Sequence, residues 1–187
     1  MPLRVPPAPT PALRSVLEAL GSPAAPGAGS ARPELALPVH EISRDGQQQG
    51  PPHTRLTGWR FLLRDTGTGG QAGAAEAKLS AEGWTFAHFS AGPYVTSTRR
   101  ALDQAEALPL TYQPRLLSVP ELYTLTLWLH GDAEADPAEG FPEAADLLIP
   151  LAPAPPGIAA HQPHRMDALL PLLVHRLMAT PLLGTVV

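Results

Sequence analysis

The sequence predicts an α+β domain: a mostly antiparallel sheet of about six strands with helices packed on one face. Three observations lead there. Residues 59–64 (Trp-Arg-Phe-Leu-Leu-Arg) and residues 122–130 alternate apolar with polar side chains, which is the two-residue period of a strand. Three other stretches space their apolar residues three and four apart, which is the period of a helix. The strand-like runs are joined by short connections, which favours antiparallel neighbours.

The first helical stretch opens at Thr10-Pro11, a capping residue followed by proline, and closes at Gly21. Leu13, Val16, Leu17 and Leu20 fall on one of its faces. At about three turns it is too short to persist alone, so this stripe has to be covered. Residues 21–33, rich in Ser, Pro, Ala and Gly, have the composition of a flexible linker. Residues 1–33 are therefore expected to form a Pro-rich arm carrying a helix at 11–20. Residues 34–187 are expected to form a single α+β domain.

Along that domain, Leu35, Leu37 and Val39 alternate with Ala36, Pro38 and His40, which suggests an edge strand because Pro38 has no amide proton to give a ladder. Residues 45–52 are a glutamine-rich loop. Strands are then expected at 58–65, 73–80 and 84–90, followed by a helix at 93–108. Further strands follow at 111–118, 121–130 and 146–151, with a last helix near 167–179. Three strands and a helix thus occur twice, βββα-βββα, without matching residues between the halves. Trp59, Phe61, Leu63, Ala75, Ala77 and Leu79 share one side with Tyr123, Leu125, Leu127, Leu129, Leu147, Ile149 and Leu151 in this reading, and both sets lie under the helices. The helix at 93–108 turns Val95, Thr98, Leu102, Ala105 and Leu108 inward, with Arg99 and Asp103 spaced for an outward pair. The last helix is apolar nearly all round and needs good cover.

Composition narrows the function classes. The 187 residues carry a net charge of -4, with one lysine against twelve arginines, so a general affinity for nucleic-acid backbones is not expected. There is no cysteine, which removes disulfides and thiolate chemistry. Twenty-four prolines concentrate before residue 54 and around 137–163, marking loops. No secretory leader pattern opens the chain, and the cytoplasm is the expected compartment. The apolar stretch 168–187 is interrupted by Pro171, Pro181, His175 and Arg176, so a buried helix is expected there rather than a membrane span.

No catalytic pattern emerges. His161, His164 and Asp167 have the residue types of a metal site, but they lie in a proline-bounded loop with nothing to orient the rings, and no metal or other cofactor is expected. The acidic stretch Asp132, Glu134, Asp136, Glu139, Glu143 and Asp146 fails as a calcium loop because Pro137 occupies the position that needs glycine. Ser90 has no nucleophile elbow around it, although His88 falls on the same side of an extended chain. The leading expectation is a non-catalytic module that binds a partner protein or itself through Leu13, Val16, Leu17 and Leu20 and through Trp128, a large aromatic among threonines. The alternative is a small-molecule or anion site near the start of the 93–108 helix, drawing on His88, Ser90, Thr96, Arg99 and His130.

Overall fold

The computed structural model describes residues 3–23, 25, 30–42 and 53–178. Chain order runs α1 (Thr10–Leu20), β1 (Ala31–Glu41), β2 (Arg55–Asp65), β3 (Gln71–Ser80), β4 (Gly83–Ser90) and α2 (Pro93–Glu106). It continues through β5 (Gln113–Val119), a 3-10 turn (Pro120–Leu122), β6 (Thr124–His130), β7 (Leu147–Pro150), β8 (His164–Arg165) and α3 (Met166–Met178). The expected loop at 45–52 and the chain beyond 178 lie outside the described residues.

The strands form one sheet in the order β4-β3-β2-β1-β5-β6-β7-β8. Every neighbouring pair is antiparallel except β1 and β5, which run parallel over Val39–Glu41 and Leu116–Ser118. Among the described residues there are thus eight strands rather than about six, and the repeated unit is four strands and a helix. The stretch expected at an edge is central. Pro38 is tolerated because the ladder to β5 begins only at Val39, so its missing amide removes nothing from that side.

The parallel junction also corrects the expectation of helices on one face. Two four-strand meanders that start from adjacent parallel strands and run outward in opposite directions are exchanged by a half-turn about the strand direction. That rotation swaps the faces of the sheet, so the helix after the second meander lands opposite the helix after the first. α2 packs over Leu37, Leu62, Ala74, Leu116, Leu127 and Ile149. α3 packs on the other side, over Leu117, Trp128 and Leu148. The Trp59 and Leu125 series, expected together, therefore lie on opposite faces: Trp59, Phe61 and Leu63 sit under α1, and Leu125, Leu127 and Leu129 under α2.

α2 buries Val95, Thr98, Leu102 and Ala105, as its spacing predicts. Arg99 pairs with Glu34 rather than with Asp103, because β1 brings that carboxylate alongside. α3 is 13 residues long, and among the described residues no helix is long and apolar enough to cross a membrane.

α1 lies against β3 and β4 of its own chain, with Ala12, Val16 and Leu20 buried on Trp59, Phe61 and Ala75. The leucine stripe is thus largely used within the chain, Leu13 being partly buried and Leu17 46% exposed. Each fully buried aliphatic side chain here contributes about 1.5–3 kcal/mol. Val16→Ala is expected to lower the unfolding free energy in urea by about 2 kcal/mol. Leu17→Ala should change it by less than about 0.5 kcal/mol, whereas equal costs would contradict this docking.

Candidate functional site

Two groups of polar side chains sit on opposite faces of the sheet, and they differ in access. The first is sealed. On the face that carries α1 and α3, His40, Gln113, Arg115, Trp128 and His130 meet beneath the loop 131–146, every one of them buried. Arg115, 0% exposed, donates from Nε to Gln113 Oε1 at 2.8 Å, from Nη2 to the Asp136 carbonyl at 3.1 Å and from Nη1 to the Glu139 carbonyl. Its guanidinium carbon stands 4.8 Å from the Trp128 ring centroid, within cation–π range. Burial lowers its pKa against the opposing field of Asp146, Glu139, Asp136 and Asp132, and an arginine keeps its charge through such a shift.

Asp146 closes the same group. Its carboxylate accepts from Trp128 Nε1 at 2.7 Å, His130 Nδ1 at 2.9 Å, and the amides of Gly131 and Glu143 at 2.9 and 3.0 Å. Burial pushes its pKa up, but these four donors outweigh that and hold it below the usual aspartate range. The Asp146 carbonyl also accepts from the amide of Met166 at 2.7 Å, so one residue ties β6, the loop and the start of α3 together. His40 bridges the Pro137 carbonyl at 2.9 Å and the Thr54 hydroxyl at 3.0 Å. A carbonyl only accepts, so Nε2 carries the proton of the neutral ring and Nδ1 accepts from Thr54. Gly140 is required where the loop meets Thr54, since a Cβ there would stand 1.9 Å from the Thr54 carbonyl oxygen. This constellation has the residue types of an acid–base site, but its polar atoms are spent on holding the loop down.

The second group is open. On the α2 face, Arg60 from β2, Tyr94 from the first turn of α2, Ser118 from β5, Thr124 and Leu125 from β6, and Pro120, Tyr123 and Pro153 from two connections line a cavity of about 550 Å³. Tyr94 donates its hydroxyl to the carbonyls of Tyr123 and Pro153, at 2.7 and 3.0 Å, and so joins both connections to the helix. Burial raises its pKa while the Arg60 charge opposes, so the phenol stays protonated at neutral pH. Arg60 donates from Nε and Nη2 to one oxygen of Glu76, at 3.1 and 2.8 Å. Tyr123 has φ of 49°, a left-handed conformation costing a side-chain-bearing residue about 1–2 kcal/mol, and its ring is 88% exposed at the rim.

The residues expected to act are placed differently. Trp128, expected on an open surface, is 0% exposed because α3 and the loop cover its face. His130 belongs to the sealed group and cannot join His88, Ser90, Thr96 and Arg99, which belong to the other half of the sheet and to α2. Those four do not converge either. His88 is exposed opposite Glu76, and Ser90 pairs with Ala74 at the end of β4. Thr96 lines a depression of about 210 Å³ with Gly73 and Gly92, and Arg99 a separate one of about 340 Å³ with Arg64 and Asp103. Glu34 bridges Arg64 and Arg99 and cancels one of their two positive charges.

His161, tested above as a metal ligand, contacts the Ser97 hydroxyl at 3.0 Å, and Ser97 also accepts from the Ala152 amide at 2.7 Å. This pins the 152–163 connection to α2. His164 lies in β8. Among the described residues no three His, Asp or Glu side chains gather to hold a metal ion. No family model, curated protein or solved structure matches the chain.

Burial lowers the His40 pKa from 6.5 to about 4, helped by the charges of Arg115 and His130 and opposed by the Pro137 carbonyl. The unfolded chain therefore takes up this proton first. The stability His40 contributes is complete above pH 6.5 and drains by roughly 3 kcal/mol as pH falls to about 4. Below that, protonation of Asp146 removes more. His40→Gln should flatten the unfolding free energy between pH 6.5 and 4.5, measured in urea. An unchanged slope would show that another group titrates there.

Proposed function

We propose that the protein is a small-molecule-binding module, without catalytic chemistry of its own, whose ligand occupies the cavity beside the start of α2. The observation that carries this reading is the cavity itself. Its volume of about 550 Å³ falls within the ~300–1,000 Å³ of small-molecule sites, and it combines an apolar body of Leu125, Pro120 and Pro153 with few oriented polar groups. It lies where β5 ends, next to the point at which the strand order reverses. Open α/β sheets bind ligands at that kind of place.

The alternative site expected near the start of this helix thus keeps its position and changes its residues. Binding is favoured over catalysis because Tyr94 is held protonated between two carbonyls and Arg60 is paired with Glu76, so neither is set to move a proton. The expectation of a protein-docking surface loses Trp128, Val16 and Leu20, which are turned to the chain's own core, and keeps Leu17 as the exposed member of the α1 stripe.

Nile red, a neutral apolar dye, provides the test. Its emission should rise and shift to the blue with the full chain, and Ser118→Trp, which fills the cavity, should weaken binding about tenfold with the urea midpoint retained. A dye that binds the filled variant equally well is seated elsewhere, and the cavity reading then fails.

A further inference from the structure

Resting on that reading, we infer that the cavity takes a planar aromatic monocarboxylate, its single negative charge met by Arg60 and its ring covered by Tyr123.

The charge count comes from β2 and β3. Glu76 engages only the Nε–Nη2 edge of the guanidinium and does so through one oxygen, leaving Nη1 without an acceptor among the described residues. Both side chains of the pair are largely buried, at 15% and 10% exposure, while Nη1 is not among the buried unpartnered atoms and so faces the open cavity that Arg60 lines. A guanidinium with a spare donor in such a place recruits an anionic oxygen, and carboxylate geometry suits its planar fork. Glu76 already balances the one positive charge of Arg60, so a carboxylate leaves the group one unit negative, offset by its hydrogen bond from Nη1, whereas a dianion such as a phosphate monoester leaves it two units negative. A cation would meet Arg60 directly and is disfavoured.

The shape of the ligand comes from the rim. Tyr123 adopts a left-handed backbone that glycine or asparagine occupies at less cost, yet it carries a large ring that is 88% exposed. Neither of its backbone hydrogen bonds, amide to Pro120 carbonyl at 2.9 Å and carbonyl from Tyr94 hydroxyl, needs the side chain. A bulky residue held at a strained and solvated position is explained by what it covers, and strain of this kind gathers at ligand clamps. With Pro120, Pro153 and Leu125 as the other apolar walls, the flat faces available suit an aromatic ring.

The experiment titrates the full chain with 2-naphthoate, 2-naphthalenemethanol and 2-naphthyl phosphate by calorimetry. The carboxylate should bind at least about tenfold more tightly than the alcohol or the phosphate. Tyr123→Gly should weaken the carboxylate about tenfold while the thermal midpoint holds or rises, a combination that a purely structural role does not produce. The double variant Arg60→Met/Glu76→Met, which leaves no buried charge unpaired, should bind acid and alcohol alike. Equal affinity for the acid and the alcohol in the unaltered protein, or preference for the phosphate, overturns the carboxylate assignment while leaving the cavity reading standing. Undiminished binding by Tyr123→Gly overturns the clamp. If none of the three compounds binds, the cavity reading itself fails.

Discussion

Three residue pairs decide the architecture: Val39, His40 and Glu41 of β1 beside Leu116, Leu117 and Ser118 of β5. Because β5 enters the sheet beside β1, with β3, β2 and β1 between it and β4, the chain cannot pass from β4 to β5 by a hairpin and crosses the sheet through α2. The same geometry turns the second meander over relative to the first and sends α3 to the other face. It also ends β5 at Val119, with the turn 120–123 following at once, so that a backbone kink stands beside Arg60 and the first turn of α2. The open cavity is thus a product of the junction. With β5 antiparallel to β1, the start of α2 and the end of β5 would have no reason to meet.

The sealed polar group serves that architecture from behind. Taking an arginine and an aspartate out of water is costly, and the cost is offset only because each is surrounded by committed partners. Carbonyls of the loop 131–146 hold Arg115, and four N–H groups hold Asp146. The loop is acidic but caps Arg115 with its backbone rather than its carboxylates, which leaves Asp132, Glu134, Asp136, Glu139 and Glu143 exposed while Asp146 turns inward. Replacing any one partner strands a buried charge, whereas the apolar packing of α1 and α3 tolerates small changes more evenly.

Much of the fold was legible from spacing alone. Periodicity located most of the body strands and all three helices, and it picked the inward side of α2 correctly at Val95, Thr98, Leu102 and Ala105. It could not tell which face of the sheet a strand shows to its neighbours, because that depends on register and on the parallel junction, both set by contacts distant in sequence. Thr124, Thr126, Trp128 and His130 are the alternate members of the run 122–130 that its period sets opposite Leu125, Leu127 and Leu129, yet all four are buried too. Pro38 misled for a related reason: a proline argues for an edge only where a ladder needs its amide.

The cavity was barely legible. Arg60 is one polar member of the alternating run 59–64 and Tyr123 one more member of an expected strand, because nothing local announces a left-handed residue that is neither glycine nor asparagine. The one available signal is Pro120 in the gap between the strands expected at 111–118 and 121–130, where the turn runs on into the start of the second.

Chemical-shift mapping of the isotope-labelled full chain with 2-naphthoate tests the link between junction, cavity and ligand most directly. Perturbations should gather at Arg60, Tyr94, Ser118, Tyr123 and Leu125 and leave the loop 131–146 untouched. Shifts confined to Gly73 and Thr96, to Arg64 and Arg99, or to no residue at all would contradict it.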